Sequence, residues 1–170
     1  MAVRPVLTYP SPSLRQISVP VTDLAAAQEI VADLIDTMQD AGHSVGIAAP
    51  QIGVNLRIVV MDCSARVKKS LGLLVLINPE VIANEGEYSM REGCMSLPEY
   101  IGTVSRPRRV TVRGLDREGQ VIEVLAKKFE AMVIQHEIDH LDGILFIDRV
   151  SSLKTDMLRR KPPQLAEPST

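Results

Sequence analysis

The stretch QHEIDH at residues 135–140 places two histidines one helical turn apart within an apolar segment. Apolar residues before it continue the same spacing of three or four: Phe129, Met132 and Val133. This period predicts a helix from residue 127 to about residue 141, with both imidazoles on one face. At H-E-x-x-H spacing, the two imidazoles reach one ion while Glu137 stands beside it. The stretch therefore predicts a metal site with His136 and His140 as ligands.

Buried histidines that only hydrogen-bond to backbone or carboxylate groups are the ordinary alternative to metal ligands. The chain contains three histidines in all, and two of them fall at this spacing with a glutamate between them. This concentration favours the metal site over the structural alternative.

A third ligand is needed, because a catalytic metal site usually has three protein ligands and one open position. The metzincin pattern would place a histidine six residues after His140, but Phe146 occupies that position. The only glutamate beyond His140 is Glu167, in the Pro-rich end of the chain, so a downstream carboxylate ligand fits poorly. The third ligand must lie upstream, where the candidates are the carboxylates and three other side chains: His43, Cys63 and Cys94.

Cys94 has the most suitable surroundings among these candidates. It lies in EGCMS, residues 92–96, where Gly93 allows a close approach of the backbone. A buried and inert thiol is the alternative for any single cysteine, and we adopt that interpretation for Cys63 in its apolar run. The residues alone leave the choice of ligand open.

The rest of the chain predicts helices and short strands. Residues 1–21 contain four prolines and indicate an extended arm. Residues 24–38 have helical spacing, with Thr22 or Asp23 as the cap, and residues 43–53 form a loop of small side chains. Short β-type runs bounded by turns follow, at residues 57–62, 73–78, 80–84, 101–105, 108–115 and 120–125.

These elements predict an α+β fold in which antiparallel β-sheets pack around a central helix carrying the HEIDH motif, with a second helix in the N-terminal half. We expect one catalytic domain over residues 1–161. Residues 162–170 are rich in proline and polar side chains, so we expect a disordered tail there.

Charge and hydropathy exclude several classes of partner. A formal net charge of −2 gives no general attraction to nucleic acid, so no DNA partner is expected. The basic run at residues 106–109 is interpreted as a solvated strand end. No apolar run is long enough to cross a bilayer, and the first residues lack the apolar core of a secretion signal. We therefore expect a cytoplasmic protein without a membrane partner, whose cysteines stay reduced.

Three stretches together resemble the peptide deformylase family, whose motifs read G-x-G-x-A-A-P-Q, E-G-C-L-S and Q-H-E-x-D-H in that order. The chain has SVGIAAPQ at residues 44–51, EGCMS at residues 92–96 and QHEIDH at residues 135–140. The likeness extends from the N-terminal arm to about Lys161. Three motifs in the correct order make this resemblance far more specific than H-E-x-x-H alone.

The resemblance implies a metallohydrolase that removes the formyl group from N-formylmethionyl nascent polypeptides and releases formate. It implies that Cys94 completes the ligand set and that Glu137 accepts and returns a proton. Gln51 and the backbone N–H of Met95 would stabilise the oxyanion. The ion would be one divalent metal, with Fe²⁺ as the native metal and Zn²⁺ or Ni²⁺ as alternatives.

The substrate-binding residues follow from motif position and helix face. Gly46 and Gly93 would keep the space near the metal small enough to favour a formyl group. A pocket for the methionine side chain would be lined by apolar residues that equally suit core packing: Val45, Met90, Met132 and Val133. The peptide would add as a strand along residues 45–46 or at Gly93.

Two positions depart from the family motifs. Ser44 replaces the first glycine, which would cost about 1 kcal/mol or more if that position required a positive φ. Met95 replaces leucine, but its proposed contribution comes from the backbone. We expect a monomer, with the ribosome near the exit tunnel as a candidate partner. The rival interpretations are an H-E-x-x-H protease and a non-catalytic module with a structural metal, which would need a fourth ligand.

Overall fold

The computed structural model describes residues 2–160, and the predicted tail at 162–170 lies outside them. Within this range there are two α-helices: α1 (Leu24–Asp40) and α2 (Lys128–Leu141). The strands are β1 (Gly46–Ala48), β2 (Ile58–Asp62), β3 (Leu73–Glu85), β4 (Tyr88–Cys94), β5 (Leu97–Arg106), β6 (Arg109–Leu115), β7 (Val121–Lys127) and β8 (Met157–Arg159). None of the helices in the described range is both long enough and apolar enough to cross a membrane.

The strands form two antiparallel sheets. The larger sheet has the order β1-β2-β3-β6-β7, and the smaller has the order β4-β5-β8. Strands β1 and β4 each lie at the edge of their sheet. The predicted α+β class, with antiparallel sheets around the helix that carries HEIDH, is confirmed.

The larger sheet is covered by a helix on each face. Val59 and Met61 of β2 belong to the apolar cluster that contains α2, whereas Ile58 and Val60 belong to the cluster that contains α1. Because alternate side chains of a strand point to opposite faces, β2 is buried on both sides. This explains why its sequence, IVVMD, is a continuous apolar run.

The two helices agree closely with their sequence signals. Helix α1 begins after Asp23, whose carboxylate accepts a hydrogen bond from the Ala26 N–H at 3.1 Å, the expected capping contact. It ends two residues later than predicted, at Asp40. Helix α2 begins at Lys128, one residue later than predicted, ends at Leu141 as predicted and buries both histidines of the motif.

The strands differ from prediction where a long-range partner decides the outcome. The two predicted runs at 73–78 and 80–84 form the single strand β3, with the register shifting between Ile77 and Glu80 around Pro79, which has no N–H to donate. Strand β1 lies within the segment predicted as a loop. Sequence reasoning also missed β4, whose sequence YSMREGC lacks a β-type apolar run, and β8, which has only three residues.

The N-terminal arm joins two of the three motifs. The Leu7 N–H donates to the Gln51 carbonyl at 2.7 Å, and the Tyr9 N–H donates to the Ser96 carbonyl at 2.8 Å. The arm therefore holds the end of the 44–51 motif beside the end of the 92–96 motif. Its proline-rich sequence suits this role, because an extended segment leaves its backbone donors free for such contacts.

Asp33 of α1 anchors the start of the arm. Its carboxylate accepts hydrogen bonds from the Ala2 N–H at 2.8 Å and from the Arg4 guanidinium at 2.9 Å. Burial alone would raise the pKa of Asp33, but these hydrogen bonds hold it below its ordinary value of 3.8. The charged carboxylate is thus favoured in the folded protein.

We expect Asp33→Asn to lower the free energy of unfolding by about 1–2 kcal/mol at neutral pH, since it removes charge-assisted contacts to the arm. Because the folded-state pKa is lowered, this contribution is complete above the ordinary carboxyl pKa of 3.8 and disappears as the pH falls through the lower folded value. Urea unfolding between pH 3 and pH 7 measures it. Asp36→Asn on the same helix is the control, and equal losses in both variants would contradict this role for Asp33.

Candidate metal centre

Three potential ligands from two motifs converge between β4 and α2. Cys94 is the last residue of β4, and His136 and His140 lie on one face of α2. One donor atom from each residue lies within 4.8 Å of the others, and the Cys94 Sγ is 3.3 Å from the His140 Nε2. All three side chains are buried.

This donor set fits a divalent metal ion. Bonds of about 2.0–2.3 Å to one ion require ligand atoms within roughly 4.5 Å of each other, and thiolate with two imidazoles suits zinc or iron. Burial lowers the pKa of His140 well below its ordinary value, so its imidazole is neutral, as a ligand must be. Within residues 2–160, this is the only cluster of three such groups, and no fourth His, Cys, Asp or Glu joins it.

The other upstream candidates lie elsewhere. Cys63 is buried in the apolar cluster around α2, where burial raises the pKa of its thiol to about 12. His43 is exposed at the edge of the cavity beside the cluster of ligands. The geometry thus selects Cys94, the candidate favoured by its glycine-rich surroundings.

Glu92 orients the first histidine. Its carboxylate accepts a hydrogen bond from the His136 Nδ1–H at 2.8 Å, which leaves Nε2 as the nitrogen available to an ion. Burial would raise the pKa of Glu92, but the hydrogen bonds from His136 and Arg106 keep it below its ordinary value. A negative charge is therefore maintained directly behind the ligand.

Arg106 connects Glu92 to helix α2. It donates to Glu92 at 2.6 and 3.0 Å and to the Asp139 carboxylate at 2.8 Å, and Arg149 donates to the same Asp139 at 2.8 and 3.0 Å. Arg106 is only 5% exposed, so the prediction of a solvated strand end is wrong for this residue. Arg106 lies on the same face of β5 as the buried Gly102 and Val104, four and two residues before it. This period of two is the sequence signal that could have revealed its burial.

Glu137 lies beside the cluster of ligands and against strand β1. The position of a Cβ on Gly46 would be 2.6 Å from the Glu137 Oε1, so a glycine is required for this approach. Among residues 2–160, no group hydrogen-bonds to the buried Oε2. Burial raises the pKa of Glu137 to about 7. Such a carboxylate can hold or release a proton near neutral pH.

Gln51 turns its amide nitrogen toward Cys94. Its Oε1 accepts from the Ala48 N–H at 2.9 Å, which fixes the orientation of the amide. The Nε2 then donates to the Ser96 hydroxyl at 3.1 Å and lies 3.6 Å from the Cys94 Sγ. Met95 lines the same cavity, and its side chain packs against the apolar cluster of α1.

The cavity contains most of the predicted substrate-binding residues. Its lining includes Val45, Gly46, Gly93, Met132 and Val133, together with Cys94, His136 and Glu137. Met90 is not part of this lining and packs against the apolar cluster around α2. Phe129 is a lining residue that sequence reasoning did not assign, although it shares the helix face of Met132.

The replacement of glycine by Ser44 introduces no backbone strain. The described residues other than glycine that have positive φ are Asn78 and Lys128, so Ser44 adopts an ordinary conformation. Its hydroxyl donates to the Gly46 carbonyl at 2.9 Å. Serine at this position therefore carries no free-energy cost from a positive φ.

Comparisons with known proteins agree with this architecture. Residues 3–156 match the polypeptide deformylase family. The chain belongs to that family. A peptide deformylase of Thermodesulfovibrio yellowstonii is 43% identical over 162 residues, which cover 95% of this chain and 97% of the relative.

Solved structures of deformylases have the same fold. The enzyme from Legionella pneumophila superposes with a TM-score of 0.83 at 43% identity, covering 90% of this chain and 89% of the other. The enzyme from Thermus thermophilus gives a TM-score of 0.80 at 38% identity, covering 87% and 86%. Deformylases are hydrolases that remove formyl groups from nascent polypeptides, so the predicted family, activity and enzyme class are confirmed.

The ion-pair network of this deformylase predicts a large stability effect. Arg106→Met would leave the carboxylates of Glu92 and Asp139 buried without their shared cation, at a cost of about 3–5 kcal/mol. Urea unfolding of nickel-loaded protein measures the loss. Arg113→Met, which breaks an exposed pair with Glu123, is the control. A loss no larger than that of the control would argue against a structural role for the network.

Gly46→Ala tests the contact between β1 and Glu137. The added methyl group would displace the carboxylate, and a displacement of this kind typically lowers the rate by about tenfold to a hundredfold. Formate release from a formylated peptide reports the rate, while metal content and the thermal midpoint report the integrity of the site. Unchanged activity in a variant that retains its metal would show that the position of Glu137 tolerates the methyl group.

Proposed function

We propose that this chain hydrolyses the formyl group of N-formylmethionyl polypeptides at the centre formed by Cys94, His136 and His140. The proposal rests on the cluster of Cys94, His136 and His140, which stands beside a cavity lined by Cys94, His136 and the Glu137 carboxylate. Since no fourth described ligand closes the centre, one position is left for the reaction. This arrangement counts against a purely structural metal site.

A divalent ion bound by these residues would supply Lewis acidity and make hydroxide available near neutral pH. We propose ferrous iron as the native ion, with zinc and nickel as alternatives, because a thiolate and two imidazoles accept all three. Glu92 supports the centre by holding the His136 ring, and its negative charge strengthens the imidazole as a donor.

Glu137 acts first as general base and then as general acid. Its carboxylate takes a proton from the attacking water and later delivers that proton to the departing amine nitrogen. Burial supports both tasks, because with a pKa of about 7 the protonated and the ionised forms of Glu137 are both populated at neutral pH. Gly46 supports the position of the carboxylate by leaving room for it.

The oxyanion formed at the formyl carbon is stabilised by the Gln51 side-chain amide and the backbone N–H of Met95. A donor aimed at such a charge is typically worth about 3–4 kcal/mol of barrier. The hydrogen bond from the Ala48 N–H to the Gln51 Oε1 supports this role, since it keeps the amide N–H groups on the side of Cys94.

The substrate methionine side chain packs against an apolar wall of the cavity formed by Val45, Met132 and Val133. Two edge strands border the cavity, β1 at Gly46 and β4 at Gly93. Edge strands present unpaired backbone groups, so the peptide can extend either sheet with little demand on its own sequence. Binding of this kind suits an enzyme that meets many different nascent chains.

We place this reaction in the cytoplasm, with the protein as a monomer that meets its substrate near the ribosomal exit tunnel. Cleavage of internal peptide bonds is disfavoured, because the third ligand is Cys94 rather than a downstream histidine or glutamate. An assay on an unformylated peptide of the same sequence separates the protease from the deformylase.

The direct test is anaerobic release of formate from formyl-Met-Ala-Ser by protein loaded in parallel with iron, nickel or zinc. We expect release that depends on the metal and stops with EDTA. A metal-loaded protein that releases no formate with any of the three ions would contradict the proposed function.

Glu137→Gln should separate metal binding from catalysis. Loss of a positioned acid and base lowers the rate by about a hundredfold or more, whereas the three ligands remain in place. Metal content measured by mass spectrometry should stay near one ion per chain. Glu123→Gln on the exposed face of β7 is the control. Full activity of Glu137→Gln with bound metal would remove Glu137 from the mechanism.

A further inference from the structure

Three arginines border the catalytic cavity: Arg66, Arg91 and Arg160. They come from the segment after β2, from β4 and from the residue that follows β8. All three are exposed, so their guanidinium groups are accessible to a molecule that binds in the cavity. We call these residues the arginine rim.

The arginine rim has little negative charge to balance it. None of its members forms an ion pair with any residue in the part of the chain that the structure describes. The only acidic residue that lines the cavity is Glu137, which is buried. The formal net charge of the whole chain is −2, so the positive charge around the cavity is opposite in sign to that of the whole chain.

Two members of the rim lie on the β4 side, next to the predicted peptide-binding edge. Arg91 and Gly93 are exposed on the same face of β4, since Glu92 between them points into the buried network. The Arg160 guanidinium lies over Gly93, because a Cβ built there would overlap it. The Arg160 N–H donates to the Glu99 carbonyl at 2.7 Å, which ties this residue to β5.

Arg66 lies on the side of helix α2. Its guanidinium is 5.6 Å from the centre of the Phe129 ring, a cation–π contact that restrains an otherwise long and flexible side chain. Phe129 in turn lines the cavity with Met132 and Val133. A peptide that leaves the apolar wall toward solvent would therefore pass between Arg66 on one side and Arg91 with Arg160 on the other.

We propose that the arginine rim selects substrates that carry aspartate or glutamate in the residues directly after the formylmethionine. The inference rests on the proposed function and specifies its preferred class of substrate. Guanidinium groups bind carboxylates through paired hydrogen bonds and charge, and several cations around one cavity also raise the association rate of anionic peptides. The residues that follow methionine are the ones that reach the rim.

The test compares two amidated peptides that differ only in charge: formyl-Met-Asp-Glu-Ser-amide and formyl-Met-Asn-Gln-Ser-amide. The amide end removes the terminal carboxylate as a competing partner. Since an exposed ion pair changes binding by a factor of about 1.4 to 5, we expect the acidic peptide to have roughly fivefold higher kcat/KM at low salt. The preference should fall toward one at about 0.5 M salt, where exposed charges are screened.

Variants of the rim assign the preference to its residues. Arg91→Gln and Arg160→Gln should each reduce the ratio of the two kcat/KM values by about twofold. Arg91→Glu should favour formyl-Met-Lys-Lys-Ser-amide over the acidic peptide, which a merely unfolded variant would not do. Arg113→Gln makes the same change of charge outside the cavity and should keep the wild-type ratio.

The outcomes distinguish a failure of the arginine rim from a failure of the proposed deformylase function. Equal kcat/KM for the acidic and neutral peptides would overturn the role of the rim and leave the proposed function intact. A preference that survives all rim variants would also overturn it. Failure of the iron-loaded and nickel-loaded protein to release formate from either peptide would overturn the proposed function itself.

Discussion

The buried pairing of Arg106 with Glu92 and Asp139 is the interaction on which the placement of Cys94, His136 and His140 depends. It ties the β4–β5 hairpin to α2, because Arg106 of β5 contacts Glu92 of β4 and Asp139 of α2. Apolar packing is not directional and tolerates small sliding movements, whereas a planar guanidinium bound to two carboxylates fixes both distance and angle. The third ligand and the two histidines come from elements on opposite sides of this link.

A chain pays for such a network, because each buried charge loses its hydration. The charges here compensate one another: Arg106 and Arg149 both contact Asp139, and His136 shares Glu92 with Arg106. The network fixes the positions of the side chains that take part in it. The same carboxylate that pairs with Arg106 also sets which nitrogen of His136 faces Cys94, so the orientation of a ligand is tied to the assembly of the small sheet.

The cavity lies between the edge strands of the two sheets. Strand β1 is the edge of the large sheet and β4 is the edge of the small sheet, and the N-terminal arm holds the segments that follow them together through Gln51 and Ser96. Open edges are normally a liability in a soluble protein. Here the cavity lies between them, with the charged Arg91 beside one edge.

Elements with local signals can be predicted from the amino-acid sequence. The spacing of His136 and His140 predicts a helix with two inward imidazoles, because side-chain direction in a helix follows from its 3.6-residue period. The cap at Asp23 and the apolar run of β2 are likewise read from neighbouring residues. The order of the three motifs was enough to indicate the family and its chemistry.

Contacts between distant residues depend on how the whole chain folds. Glu92 and His136 are 44 positions apart, and nothing local distinguishes Glu92 from a surface acid. The sequence places Arg106 in a basic run that predicts a solvated strand end, yet its burial depends on carboxylates supplied by two other elements. Strand β4, which contains the charged Arg91 and Glu92, forms because a partner strand satisfies its backbone groups. Contacts of this kind depend on the path of the whole chain, which local periodicity does not encode.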